Sequence, residues 1–529
     1  MKVILPVVLV FIAGFHVSGN DGYKRNPMID IINYSFSVSL SDTSDIIYGN
    51  SSITIGFKGP VSSFDLDLMS PGLDGKGMVI DSAWFSTGNI SWSRNGGKVT
   101  FTPGTPLNHG QTAVLTISYH GIPSGGLVIS NNKYGDRTFF SDNWPNRASS
   151  YLPCIDHPYD KATVDFYITA PSHYDIVANG YLVEESHLTG DRKLTHWKEG
   201  VPLATKVMAF GAAEFDFRLA GEPDNIPVWS YVFRENRNEG FYDYAVAVRP
   251  LAFYVSLIGP YSYEKLANVQ SKTIFGGLEN AGCVFYAQNS VTGKGNAEGL
   301  LAHEIAHQWF GNSVTENDWD HIWLSEGFAT YLTSVYMEKT YGMERFQSEM
   351  KADREQVISF FMKYPRPVID TTVTNLMRLL NANSYQKGAW VLHMLNNELG
   401  DDLFWKGMRL FYERFRNGNA LTGDFRKVME EVSGRDLSGF FEQWLYIAGQ
   451  PDLKITTERP RNGSQVIIIE QKQEHLFTFP LELLVKCLEG DQNEKINVSG
   501  RETRVTIKTR KINEVIPDPN VNLLFRVVP

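Results

Sequence analysis

Two histidines four positions apart, in His303-Glu304-Ile305-Ala306-His307, constrain this chain more than any other feature. Residues four apart share one face of a helix, so the spacing predicts a helix that turns both imidazoles toward one point. Glu304 then lies about 100° round the helix, beside that point rather than on it. A third donor is available at Glu326, in Ser325-Glu326-Gly327-Phe328-Ala329. It can join the pair only if a second helix packs against the first and carries Glu326 in its opening turn. The flanks agree with that arrangement: Gly311-Asn312 reads as a stop after the first helix, Ser325 as an N-cap of the second, and Gly342 as its end.

Two imidazoles and one carboxylate leave a fourth coordination position open, which marks a catalytic rather than a structural zinc site. The expectation is one Zn2+ ion held by His303, His307 and Glu326. Zinc lowers the pKa of its bound water to about 7, and Glu304 is placed to act as general base toward it. Two further segments carry suitable chemistry. In Gly276-Gly277-Leu278-Glu279-Asn280, Glu279 is a carboxylate able to hold a cationic amine by a charge-assisted hydrogen bond. In Tyr385-Gln386-Lys387-Gly388, Tyr385 is a hydroxyl able to stabilise an oxyanion. The bland alternatives are a solvated loop carboxylate for Glu279 and an ordinary amphipathic-helix tyrosine for Tyr385.

Taken together, the motifs resemble the M1 family of zinc aminopeptidases, the aminopeptidase N and leukotriene A4 hydrolase type. The zinc motif is followed by Trp309-Phe310-Gly311-Asn312 and then Trp323-Leu324-Ser325-Glu326-Gly327-Phe328-Ala329, with Ser325 where the family usually has Asn. The Gly276–Asn280 segment is similar to the family's Gly-x-Met-Glu-Asn exopeptidase motif, with Leu278 in place of Met. Pro153-Cys154-Ile155-Asp156-His157-Pro158 resembles the family's Pro-Cys-x-Asp-x-Pro block. The matches keep the family's order across roughly residues 25–450. The resemblance implies that Glu304 and Tyr385 are catalytic. It also implies that Gly277 and Glu279 bind substrate, and that the substrates are peptides with a free N-terminus.

Three departures qualify this. Where relatives carry a Glu or Gln that also binds the amine, this chain has Trp144, which cannot accept that hydrogen bond. Asp142, two residues earlier, is the nearest carboxylate and the candidate replacement, although a turn residue is the bland reading. Thr333 stands where many relatives have a glutamate. Finally, the chain stops at Pro529, so a short form without the family's large C-terminal helical domain is expected.

The pattern of periodicities gives the fold class: multidomain α+β. Polar–apolar alternation at 34–40, 51–57, 63–68, 114–119 and 162–168 predicts an all-β domain over 20–217. Helical periodicity at 242–257, 298–309, 326–341 and 384–399, after strands near 226–233 and 267–287, predicts a thermolysin-like α+β catalytic domain over 218–447. Strands return at 465–470, 481–488, 504–509 and 523–528, a small β-sandwich over 448–529. The start, Met1-Lys2 and then an apolar run to Phe15, reads as a signal peptide over 1–19, which implies export to a periplasmic or secreted location. No stable membrane span is expected after cleavage. The net charge of −10 and the lack of a basic stripe argue against nucleic acid. Cys154, Cys283 and Cys487 are too few and too scattered for a disulfide framework and read as small buried hydrophobes. The expected activity is an exported zinc aminopeptidase. Its rivals are a non-catalytic peptide-binding protein on the same scaffold, a zinc endopeptidase, and an epoxide hydrolase side activity. The sequence leaves the oligomeric state unknown.

Overall fold

The computed structural model describes residues 21–529, so the leader expected at 1–19 lies outside the described residues. The molecule is multidomain: an all-β N-terminal region, a mixed helix–sheet middle and a C-terminal pair of β-sheets.

Alternating side chains in the N-terminal region produce a seven-stranded sheet in the order Tyr181–Leu188, Arg192–Leu203, Ala162–Pro171, Ile29–Ser39, Ile47–Phe57, Thr112–Ile122, Gly77–Phe85. Every neighbouring pair is antiparallel except Ile29–Ser39 with Ala162–Pro171. A four-stranded sheet ends in Arg137–Asp142 and Gly126–Asn131, and a three-stranded one is built on Phe64–Asp67. Ile53, Leu115, Phe139, Phe166 and Phe210 from these sheets share one buried core.

The middle region begins with a five-stranded sheet ordered Phe215–Gly221, Val228–Phe233, Leu266–Ser271, Cys283–Ala287, Gly277–Leu278. The strand Phe215–Gly221 runs across position 217, where the sequence suggested a boundary, and pairs with Val228–Phe233. A second core lies between the two regions. Phe140 and Trp144 meet Phe215, Phe233, Leu278 and Phe285 of the sheet and Trp319 of the 3₁₀ turn before the second helix. The loop carrying Trp144 is thereby fixed to the sheet edge that carries Gly277.

The helices depart from expectation at their ends, each for a local reason. The predicted 242–257 helix is two, Arg237–Tyr244 and Val248–Leu257, joined by a 3₁₀ turn at Ala245–Ala247. Pro250 falls in the first turn of the second, where its missing N–H costs nothing. The zinc-motif helix is Glu298–Ala306, shorter than 298–309, because the chain turns at His307. The next helix is Trp323–Tyr341 and starts before Ser325, since the Ser325 and Glu326 N–H groups both donate to the Ile322 carbonyl at 2.9 and 3.0 Å. Ser325 is therefore not the N-cap, and its hydroxyl is free for another task. The predicted 384–399 helix opens with a π-helical turn, Asn383–Lys387, before Gly388–Leu399. In that turn the Lys387 N–H reaches back to the Ala382 carbonyl at 2.8 Å.

The C-terminal region has sheets of four and three strands. The predicted strand 523–528 reduces to Arg526–Val527, while Asp452–Thr457, Gln492–Val498 and Ile512–Pro517 were not anticipated. These sheets share a core with the helices. The Trp444 and Phe477 rings meet at 5.1 Å, and His393 Nε2 lies 3.0 Å from the Val521 carbonyl. All three cysteines are buried and free. Among the described residues no helix is long and apolar enough to cross a membrane.

Candidate active site

The helix Glu298–Ala306 and the helix Trp323–Tyr341 pack against each other and bring three donors together. His303 Nε2 and His307 Nε2 are 3.2 Å apart. Glu326 Oε2 lies 3.3 Å from His307 Nε2 and 3.6 Å from His303 Nε2. Tetrahedral zinc with ligands at about 2.0–2.2 Å requires ligand atoms separated by about 3.3–3.6 Å, so the spacing fits. His307 Nδ1 faces the Phe310 carbonyl at 3.2 Å and the Ser325 hydroxyl at 3.1 Å. Donating its proton to that side leaves the Nε2 lone pair directed at the cluster. This is the task that the displaced Ser325 performs.

Seven of the eight residues singled out from the sequence line one pocket of about 280 Å³: His303, His307, Glu326, Glu304, Glu279, Gly277 and Tyr385. Three of these are glutamates, and no Lys or Arg lines the pocket. Burial raises the Glu304 pKa; His307 opposes the rise and the Glu279 and Glu326 carboxylates add to it. Burial also disfavours an ionised Glu326, but His307 and His303 outweigh it and hold that carboxyl well below the usual range. In return Glu326 raises His307 against the effect of burial. A buried set of carboxylates that draws a proton onto a neighbouring imidazole is matched to a cation, and the donors present suit zinc.

Each further group is held by the backbone beneath it. Gly277, on the edge strand, lies under Glu304: a Cβ there would sit 2.3 Å from Glu304 Oε1 and 2.5 Å from its Cγ and Cδ. Glu279 is 5 % exposed, and its Oε1 has no hydrogen-bond partner among the described residues. Tyr385 stands beside His303, with ring centroids 5.9 Å apart and planes within 13°. Burial and the three carboxylates raise its pKa well above the usual tyrosine value, so the hydroxyl keeps its proton. Its approach depends on two glycines in contact. A Cβ on Gly327 would lie 2.8 Å from the Gly388 Cα, and one on Gly388 would lie 2.9 Å from the Gly327 Cα. Glu326 and Tyr385 are thus neighbours because the two helices touch backbone to backbone.

Asp142 stands apart. It does not line the pocket. Its carboxylate is paired with Arg147 and accepts from the Thr273 hydroxyl at 3.4 Å. Arg147 also donates to the Trp144 carbonyl at 2.8 Å, so this pair braces the loop rather than offering an oxygen to the pocket. Trp144 itself lines the pocket, 2 % exposed, edge-on to Phe275 at 6.0 Å and to Trp319 at 5.7 Å. Thr333 bonds back to the Ala329 carbonyl at 2.8 Å. Its side chain is also in hydrogen-bond contact with Tyr254, whose hydroxyl donates to the Ala302 carbonyl at 3.1 Å.

Sequence reasoning passed over two side chains that stitch the pocket together. Gln308 donates to the Glu279 carbonyl at 3.3 Å and the Glu304 carbonyl at 3.2 Å, and accepts from the Gly282 N–H at 2.9 Å. Asn312 donates to the Glu279 carbonyl at 2.5 Å. Gln308 follows the second histidine directly and Asn312 comes five residues after it, so the segment after the zinc motif grips the Glu279 loop. Two amide side chains flanking Trp309-Phe310-Gly311 straight after a catalytic motif were the available signal.

This arrangement defines a metallopeptidase scaffold, two helices presenting a His-Glu-x-x-His and distant-Glu donor set beside a sheet edge. Residues 31–207 match the peptidase M1 N-terminal domain and residues 242–444 the peptidase family M1 domain; the chain belongs to family M1. It is 27% identical over 427 residues to a probable M1 family aminopeptidase 1 of Encephalitozoon cuniculi, covering 74% of this chain and 48% of that one. It is 25% identical over 372 residues to the glutamyl aminopeptidase of Homo sapiens, covering 66% and 39%. The chain thus spans about half the length or less of these relatives. The crystal structure of an M1 zinc metallopeptidase from Deinococcus radiodurans superposes with a TM-score of 0.68 at 23% identity, covering 80% of this chain and 94% of that one.

Proposed function

We propose that this protein is a monozinc aminopeptidase that removes the N-terminal residue of peptides. The observation that carries the reading is Glu279: a buried carboxylate with an unpartnered oxygen, in the same small pocket as the three metal donors. An enzyme that cleaves inside a chain has no use for such a group, whereas one that measures from a free amine does.

His303, His307 and Glu326 hold the metal. A zinc ion there supplies Lewis acidity at the scissile carbonyl and acidifies the attacking water. Glu279 takes the α-ammonium, which sets the first peptide bond beside the metal donors. Glu304 accepts the proton of the attacking water and returns it to the departing amine. Tyr385, protonated throughout, donates to the carbonyl oxygen as negative charge develops on it. Trp144 and Phe275 face the same pocket and exclude water from it. With Asp142 engaged by Arg147, we assign the whole amine-binding charge to Glu279. The apolar run near the start supports export of the enzyme.

The test is a panel of fluorogenic aminoacyl amides, free and N-acetylated, with and without a chelator. Chelator-sensitive cleavage of the free-amine forms alone is expected. Cleavage of the blocked forms points to an endopeptidase, and zinc binding without turnover to a peptide-binding protein.

A further inference from the structure

The four-stranded sheet of the N-terminal region has the order Asp175–Ala178, Phe210–Ala213, Arg137–Asp142, Gly126–Asn131. Its antiparallel register sets Ala178 opposite Phe210 and Phe140 opposite Gly211, so residues 178, 210 and 142 share one end, the end that leads to Trp144. A buried asparagine stands one residue past two of these strands: Asn179 after Ala178 and Asn143 after Asp142. Both donate into the chain that enters Phe210–Ala213. Asn143 Nδ2 donates to the Thr205 and Met208 carbonyls at 3.2 and 2.7 Å. Asn179 Nδ2 donates to the Val207 carbonyl at 3.0 Å, and its Oδ1 accepts from the Ala209 N–H at 2.6 Å.

The second N–H of Asn179 crosses into the catalytic region and donates to the Ala281 carbonyl at 2.7 Å. The Ala281 N–H returns to the Val207 carbonyl at 3.1 Å. One residue further, Lys265 Nζ donates to the Gly282 carbonyl at 3.2 Å and to the Ala178 carbonyl at 2.7 Å. These bonds bear on Glu279, two residues before Ala281. Glu279 Oε1 has no partner among the described residues, and neither polar atom of the buried Asn280 side chain has one. What holds this loop is its backbone. Gln308 and Asn312 hold the Glu279 carbonyl from the catalytic side. Asn179 and Lys265 hold the next two carbonyls but one from the N-terminal side. Both N–H groups and the carbonyl of Asn179 are engaged, so it acts as a three-way tie.

We propose that Asn179 is a positioning residue for peptide hydrolysis: it pins the Glu279 loop to the same Thr205–Ala209 segment that Asn143 uses to hold the Trp144 loop, and so fixes where the amine anchor stands relative to the metal donors. The proposal rests on the aminopeptidase reading. Glu279 is tied to the catalytic helices on one side only, and the N-terminal region supplies the other side.

The experiment compares wild type with Asn179→Ala and Asn179→Asp. The aspartate keeps the size and an acceptor for the Ala209 N–H but has no N–H for the two carbonyls. Gln471→Ala is the control for lost stability. Gln471 is a buried amide of the C-terminal sheets that donates to the Phe477 and Gly500 carbonyls at 2.8 and 3.1 Å, far along the chain from the pocket residues. Two inhibitors are used, alanine hydroxamate and its N-acetyl derivative; both offer a metal-binding group and only the first has a free amine. A misplacement of about 1 Å at a reacting group costs about 100-fold, so partial release of the loop is expected to raise Ki for the free-amine hydroxamate about tenfold in both Asn179 variants. Ki for the acetylated form should stay within twofold, zinc content at one, and KM for a fluorogenic aminoacyl amide should rise with kcat little changed. Gln471→Ala should lower Tm without altering the ratio of the two Ki values. Equal weakening of both hydroxamates, no change in either, or failure of both Asn179 variants to fold overturns the proposal and leaves Asn179 a stability residue. Wild type that cleaves no free-amine substrate refutes the aminopeptidase reading, and the proposal with it. An active wild type that prefers the free-amine hydroxamate, with that preference intact in both Asn179 variants, overturns the proposal alone.

Discussion

Gly277→Ala tests whether Glu304 acts from the position the edge strand gives it. The added Cβ would meet Oε1 of Glu304 at 2.3 Å and both Cγ and Cδ at 2.5 Å. Ordinary carbon contacts need about 3.4 Å or more, so the shortfall is roughly 0.9 Å along most of the side chain. Because Cγ is among the overlapping atoms, turning the carboxylate tip cannot relieve the clash. Either the whole Glu304 side chain shifts by about 1 Å, or the edge strand does. A displacement of that size at a reacting group costs about 100-fold in rate. The metal donors are untouched, so zinc stoichiometry by atomic absorption stays at one. Overpacking typically costs about 1–3 kcal/mol, seen as a small fall in Tm. The assay is kcat and KM on a fluorogenic aminoacyl amide: kcat falls by about two orders of magnitude, while KM, set at Glu279, changes little. A Gly277→Ala enzyme with kcat within twofold of wild type would show that Glu304 has room to spare and that this positioning argument is wrong.

Glu279→Gln keeps the shape and removes the charge. Since loss of one partner from a buried charge pair costs about 2–5 kcal/mol, kcat/KM for free-amine substrates should fall by at least about 30-fold, and the preference over N-acetylated substrates should narrow. Asn312→Ala and Gln308→Ala release the Glu279 carbonyl. Each should raise KM several-fold with zinc content unchanged, and Gln308→Glu, which keeps an acceptor for the Gly282 N–H but loses the donor, should not restore it. Lys387 is buried at the foot of the Tyr385 turn, donates to the Gly449 carbonyl at 2.8 Å, and has its pKa pushed down by burial to about 7. The folded state therefore binds fewer protons than the unfolded chain between about pH 7 and pH 10.5, so this group's penalty is full below pH 7 and is relieved as pH rises through that window. The Tm of wild type minus that of Lys387→Met should increase from pH 6 to pH 9.5; a flat difference would refute the assignment.

Much of the site was legible because its chemistry demands particular residues at particular spacings. A four-residue step fixes two imidazoles on one helix face whatever surrounds it, so His303, His307 and Glu304 could be placed from sequence, and Glu326 followed from the need for a third donor. What stayed hidden depends on contacts between distant segments. Nothing in Asp142-Asn143-Trp144 announces that Arg147 will take the aspartate, because that depends on how the loop closes against Thr273. Helix ends were misread where tertiary contacts override capping signals. Ser325 resembles an N-cap, yet a 3₁₀ turn at Trp319–His321 starts the helix early and frees the hydroxyl for His307. The C-terminal strand Gln492–Val498 is polar or charged at every position but Ile496 and Val498, so its alternation carries a weak apolar signal.

Trp144 shows how such a contact reshapes the chemistry. A carboxylate or amide at this position would share the ammonium with Glu279; an indole cannot, since its only polar group is a donor. The loop is nevertheless held as firmly as a ligand-bearing loop would be, by Phe275 and Trp319 on its rings and by Arg147 on its carbonyl. Under the proposed aminopeptidase reading, rigidity without a second acceptor concentrates amine recognition on Glu279. It also replaces a polar wall of the pocket with an apolar one. Those two consequences pull in opposite directions: a single anchor weakens the hold on the ammonium, while the drier wall strengthens each remaining electrostatic contact. For that reason the loss on Glu279→Gln is expected to be severe here, since the indole of Trp144 offers no second acceptor for the ammonium.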